Sequence, residues 1–150
     1  MTEKTDQESL YNNILSEPIT AYGSPLNGST LDLIDWARRG VTMGFLTKLG
    51  EKLSFSLNEI GHIIHVSLRT LQRYDAYKTL DTDASAKAIQ LAALRKHGLE
   101  VFEDEQAFNE WLKSSLPALE GERPIDYLDT SYGFDLINQI LGRIDHGVFA

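Results

Sequence analysis

From Thr30 onward the apolar residues return every three or four positions, the spacing of one face of a helix. "LDLIDWARRG" gathers Leu31, Ile34, Trp36 and Ala37 on a common face, with Thr30 placed to cap the helix and Gly40 to end it. "MGFLTKLGEKLS" repeats the pattern through Phe45, Leu46, Leu49 and Leu53, and "DASAKAIQLAALRKHGLEVF" carries it through Ala88, Leu91, Ala92, Leu94 and Leu99. The acids at 103–105 suit a helix start and open "EQAFNEWLKSSL", which would bury Phe108, Trp111 and Leu112. "GERPIDYLD" reads as a turn at Gly121 and a short helix with Pro124 in its first position. A last helix runs from about Ser131 to Asp145. No stretch alternates with period two and no repeat recurs at 20–50 residues, so the expected class is all-α. Before Thr30, Pro18, Gly23, Pro25 and Gly28 interrupt every period. There "ESLYNNILSE" offers a short helix through Leu10 and Ile14 at most, and residues 1–29 are expected to be a flexible arm.

The stretch "SLNEIGHIIHVSLRTLQRY" is the most informative. Ser56 and Glu59 have capping-box spacing, each side chain able to accept from an orphan N–H at a helix start. Leu57, Ile60 and Ile64 form the buried stripe of a short helix. "HVS" makes a tight turn over a buried Val66, and Ser67 caps a second helix anchored by Leu71 and Tyr74. This is the pattern of a helix-turn-helix, with two departures. Gly61 sits inside the first helix, at a propensity cost of ~1 kcal/mol, and His65 occupies a turn position that calls for positive φ. The second helix leaves Arg69, Gln72 and Arg73 outward. Arg reads guanine and Gln reads adenine through paired hydrogen bonds, so these are groups for a major groove. Ser67 and Thr70 at the cap end and Lys78 just beyond complete the candidate DNA contacts.

The overall charge of −8 argues against a nucleic-acid partner until its distribution is read. Residues 38–78 hold seven Lys/Arg against three acids, a net of +4, between flanks of −5 and −7. A basic middle between acidic flanks points to one face for an anionic partner and another with a different task. A soft joint is expected near residues 79–83, where the charge changes sign. The chain has no cysteine, no apolar run of membrane-spanning length and no apolar leader in "MTEKTDQESL", which together fit a cytoplasmic protein away from membranes.

In the acidic part, "LEGERPIDYLDTSYGFDLINQILGRIDHGVFA" resembles the terminal domain of the Xre/MbcA/ParS-type toxin-binding antitoxins. Trp111, Leu112, Leu119, Gly121, Pro124, Asp126, Leu128, Asp129, Thr130, Gly133, Leu141, Gly142, Arg143, Ile144, Gly147, Val148 and Ala150 carry the likeness, and "LRTLQRYDA" resembles that family's helix-turn-helix. Glu122-Arg123 after Gly121 is a small departure, since a basic residue directly after that glycine is common in the family. The resemblance covers roughly residues 30–150. It implies a Cro/repressor-like helix-turn-helix over 30–80, a small helical toxin-binding domain over 81–150, and a partner toxin, commonly a RES-domain enzyme that consumes NAD. It also implies that the end of the antitoxin blocks the toxin's active site.

The residues agree with that implication. On the last helix Phe134, Ile137, Leu141 and Ile144 make one buried stripe, while Leu136 and Ile140 lie on another side with Arg143 beside them. The apolar residues Val148, Phe149 and Ala150 follow the glycine that ends the helix. The expected toxin contacts are Arg143, Val148, Phe149 and Ala150 as a plug, Leu136 and Ile140 as its platform, and His146 near the tail. The alternative for the tail is that it folds back into its own core. His62 and His65 lack companions for a metal site, no phosphate loop or catalytic constellation stands out, and no cofactor is implied. The expected function is an antitoxin that neutralises a toxin and, as a homodimer on operator DNA, represses its own operon. The competing reading is a stand-alone transcriptional regulator whose acidic domain dimerises.

Overall fold

A computed structural model describes residues 28–147. These form seven α-helices: α1 (Thr30–Arg39), α2 (Met43–Leu53), α3 (Leu57–Ile64), α4 (Leu68–Arg73), α5 (Thr82–Phe102), α6 (Glu105–Leu112) and α7 (Ser131–Asp145). Short 3-10 turns lie at Pro117–Leu119 and Pro124–Tyr127. The expected helix near Leu10 and the tail Val148-Phe149-Ala150 lie outside the described residues. Two compact units meet at residues 92/93, inside α5. The joint expected near 79–83 is instead where α5 begins, its start capped by Asp81, whose Oδ1 accepts from Ala84 N at 2.8 Å.

The first unit packs α1 to α4 and the start of α5 around Phe45, Leu46, Leu49, Leu53, Ile60, Ile63, Leu71, Ala88 and Leu91, all buried. Trp36 meets Phe45 edge-to-face with ring centroids 5.2 Å apart. The loop after α4 returns along the loop before α2: Met43 N donates to Lys78 O, Gly44 N to Ala76 O and Leu80 N to Val41 O, at 2.8–2.9 Å. This strap includes an isolated antiparallel bridge between Thr42 and Thr79, which no local pattern announces. Fully buried Ser85 closes it from α5, accepting from Val41 N at 3.0 Å and donating to Leu80 O at 3.2 Å.

Helix α1 departs from expectation in two ways. Its N-cap is Ser29, which makes a capping box with Asp32, and Thr30 is already inside the helix. Only Trp36 and Ala37 are buried on it, while Leu31 and Ile34 are exposed. At 100° per residue Leu31 lies opposite the arc of Trp36 and Ala37, so the four apolar residues never shared one face.

The second unit holds the end of α5, α6, both 3-10 turns and α7. Phe102, Phe108 and Trp111 cluster with centroids 5.5–6.1 Å apart. Arg95, buried on α5, reaches Glu105 at 3.2 Å. Asn138 of α7 donates its amide to Phe134 O at 3.0 Å, which leaves its oxygen to accept from His97 Nδ1 at 2.8 Å and ties α7 to the end of α5. The start of α7 rests on the turn Pro124–Tyr127: Gly133 lies so close to the Tyr127 carbonyl that a Cβ would collide with it.

Candidate functional site

The helix-turn-helix forms as the sequence implied. Ser56 Oγ accepts from Glu59 N at 3.1 Å and Glu59 Oε1 from Ser56 N at 2.8 Å, which fixes the start of α3. The helix ends at His65 in the left-handed region, φ 61°. Gly61 explains how so short a turn closes. The chain doubles back so tightly that a Cβ on Gly61 would lie 2.5 Å from the Val66 carbonyl oxygen, while Gly61 O accepts from Val66 N at 3.0 Å. The glycine that costs helix propensity is the one residue that admits the turn.

Helix α4 is capped by Ser67, whose Oγ accepts from Thr70 N at 3.2 Å and donates to Thr70 Oγ1 at 2.8 Å. Both hydroxyls are therefore engaged in the cap, and Thr70 is half-buried. Buried Leu71 anchors the helix, and Arg69, Gln72 and Arg73 are exposed. Lys78 lies past the helix on the strap with its Nζ 5.4 Å from the centre of the Tyr74 ring, a cation–π contact that spacing alone did not reveal. A cleft of about 590 Å³ opens beside α4, with Met43, Leu57, Leu71, Gln72 and Tyr74 among its walls.

In the second unit α7 begins at Thr130, whose Oγ1 accepts from Gly133 N at 3.0 Å. Gly133, Phe134, Ile137, Ile140 and Leu141 are buried along it and Ile144 is half-buried. Ile140 therefore belongs to the core and not to an exposed platform. It lies only 60° around the helix from Ile137, and the buried arc is wide enough to take it in. Of the expected toxin contacts, Leu136 is half-exposed and Arg143 and His146 are exposed. Gly147, at φ 75°, follows the helix end. Among the described residues, a Cβ on Gly142 would meet nothing within 4 Å outside its own helix backbone. Tyr132, in the first turn, was not singled out from the sequence and is 88% exposed. Among the described residues no cluster of His, Asp or Glu is arranged to hold a metal ion, and no helix is long and apolar enough to cross a membrane.

Both units match described families. Residues 32–93 match the antitoxin Xre-like helix-turn-helix domain, and residues 97–147 match the antitoxin Xre/MbcA/ParS C-terminal toxin-binding domain. The chain belongs to the Xre/MbcA/ParS-type antitoxins. This antitoxin is 27% identical over 143 residues to the "Prs ADP-ribosylating antitoxin" of Sphingobium sp. (strain YBL2), covering 89% of this chain and 90% of the relative. Its fold is similar to a chain in the crystal structure of the M. tuberculosis MbcT–MbcA toxin–antitoxin complex, with a TM-score of 0.52 at 20% identity, over 70% of this chain and 94% of the other. The two matched segments divide as the compact units do: the helix-turn-helix in the first, the toxin-binding domain with α7 in the second.

Proposed function

We propose that this antitoxin neutralises an NAD-consuming toxin of the RES type by filling its active site with the end of α7 and residues 148–150, and that as a homodimer in the cytoplasm it represses its own operon. The observation that carries the first part is the placement of exposed Arg143 in the last turn of α7, near the end of the toxin-binding domain and five positions before the apolar residues Val148, Phe149 and Ala150. A guanidinium followed by an apolar segment matches a cleft built for a substrate with charged and flat parts. The ADP-ribosylating label on the Sphingobium relative supports a partner that uses NAD.

The second part rests on α4. Arg69, Gln72 and Arg73 are exposed within the stretch of net charge +4, and an Arg contact to guanine is worth ~1–3 kcal/mol of discrimination. Two copies related by a two-fold axis would read half-sites about 34 Å apart, one turn of DNA. The chain itself performs no catalysis in this scheme.

Both parts are tested with the protein encoded beside this gene and the DNA upstream of it. The full chain should abolish that protein's NAD consumption, and the chain cut after Gly147 should inhibit much less. Equal inhibition by the shortened chain would refute the plug. The upstream DNA should shift on a gel with the full chain at low salt, and absence of a shift there would remove the repressor role.

A further inference from the structure

Three residues are few against the roughly 20–30 per side of a standard protein–protein interface. A plug of residues 148–150 therefore needs a second contact to hold it in place. With Ile140 in the core, the exposed side of α7 carries a different set of residues from the one the sequence offered. Tyr132, Leu136, Gln139 and Arg143 follow one another at i, i+4, i+7 and i+11, within 60° of a single line along the helix. Tyr132 is 88% exposed, Leu136 is half-exposed, and Gln139 and Arg143 are exposed. The line measures about 17 Å from Tyr132 to Arg143 at 1.5 Å per residue.

We propose that this stripe is the antitoxin's affinity surface for the toxin, with Tyr132 as its aromatic anchor, a proposal that rests on the toxin-binding reading of the domain. Tyr132 is the large apolar side chain that the described part of the toxin-binding domain leaves open to solvent. Tyr and Arg are the residue types that dominate binding energy at protein interfaces, and here they stand at the two ends of one stripe. The backbone that carries the anchor is also fixed. Thr130 caps the turn that carries it, through Gly133 N at 3.0 Å to its hydroxyl and Phe134 N at 3.1 Å to its carbonyl. Gly133, the next residue, is wedged against the Tyr127 carbonyl, so the first turn of α7 has one seat. With its backbone fixed, binding has to order only the two side-chain torsions of the ring. The matching toxin surface has a non-polar slot for the phenol ring and an acidic side chain for Arg143 about 17 Å away. In this arrangement Tyr132, Leu136 and Gln139 supply affinity, residues 148–150 supply inhibition, and Arg143 stands where the two meet.

The test is a titration of the full chain against the protein encoded beside its gene, with binding and NAD consumption read separately. Tyr132→Ala should raise Kd at least about tenfold, Tyr132→Phe less than about threefold because the ring remains, and Leu31→Ala, an exposed change in the helix-turn-helix unit, not at all. The chain cut after Gly147 should bind yet fail to inhibit. Wild-type binding with an unchanged Kd for Tyr132→Ala, in a variant whose circular dichroism matches the parent, overturns the stripe and leaves the toxin reading standing. No complex with the wild-type chain overturns the toxin reading and the stripe with it.

Discussion

Replacing Gly61 by Ala tests whether the turn of the helix-turn-helix is built as described. Helix propensity alone predicts a gain of about 1 kcal/mol, because alanine is the best helix former and glycine is among the worst. The structure predicts the opposite sign. The added Cβ would stand 2.5 Å from the Val66 carbonyl oxygen and 3.3 Å from a Leu71 methyl carbon, and the nearer of these is backbone that has no rotamer to escape into. Relief requires the turn to open by most of an ångström. That strains the hydrogen bond from Val66 N to Gly61 O and shifts α4 on its Leu71 anchor. Overpacking of this kind costs about 1–3 kcal/mol, so after the propensity gain a net loss on the order of 1 kcal/mol remains. In a domain of 60–100 residues that lowers Tm by roughly 4–8 °C. Trp36, 3% exposed, reports the first unit once Trp111 has been changed to Phe, so urea and thermal melts followed by its fluorescence read that unit alone. A Gly61→Ala chain at least as stable as its parent would refute the close approach and the account of the turn that depends on it.

Two further substitutions probe the core. Ile140→Ala should destabilise the second unit by roughly 2–5 kcal/mol in a denaturant melt, because Ile140 is 1% exposed and its removal leaves a cavity; an unchanged melt with weakened toxin binding would return it to the interface. Ser85→Ala leaves the buried Val41 N–H without its acceptor and should cost about 1–3 kcal/mol, measured by the Trp36 signal.

Much of this was legible in the sequence because it is local. Ser56-x-x-Glu59 and Ser67 each cap a helix as their spacing indicates, since these caps depend on a residue three positions away. The exposure of Arg69, Gln72 and Arg73 follows from Leu71 being the buried residue among them. What escaped depends on distant partners. The strap of residues 76–80 on residues 41–44 is made of backbone hydrogen bonds that leave no periodicity. Gly61 looked like a defect because its reason is the Val66 carbonyl that the turn brings back onto it. Ile140 looked like a second face because spacing gives an angle around the helix but not the width of the buried arc. Leu31 and Ile34 looked buried because they are apolar, and the helix turns them away from the core. Tyr132 stands four residues before Leu136 on the same side of the helix, but spacing does not say that this side is open to solvent; its exposure became visible only when the start of α7 was placed.

The proposed function gives one chain two tools, a DNA-reading helix in its first unit and a toxin-binding helix in its second, and a double variant separates them most directly. Arg69→Ala with Arg73→Ala, assayed in parallel for operator binding and for inhibition of the neighbouring toxin, should lose at least about tenfold in DNA affinity while inhibiting the toxin as fully as the parent. Unchanged DNA affinity, or toxin inhibition that falls together with it, would contradict the account.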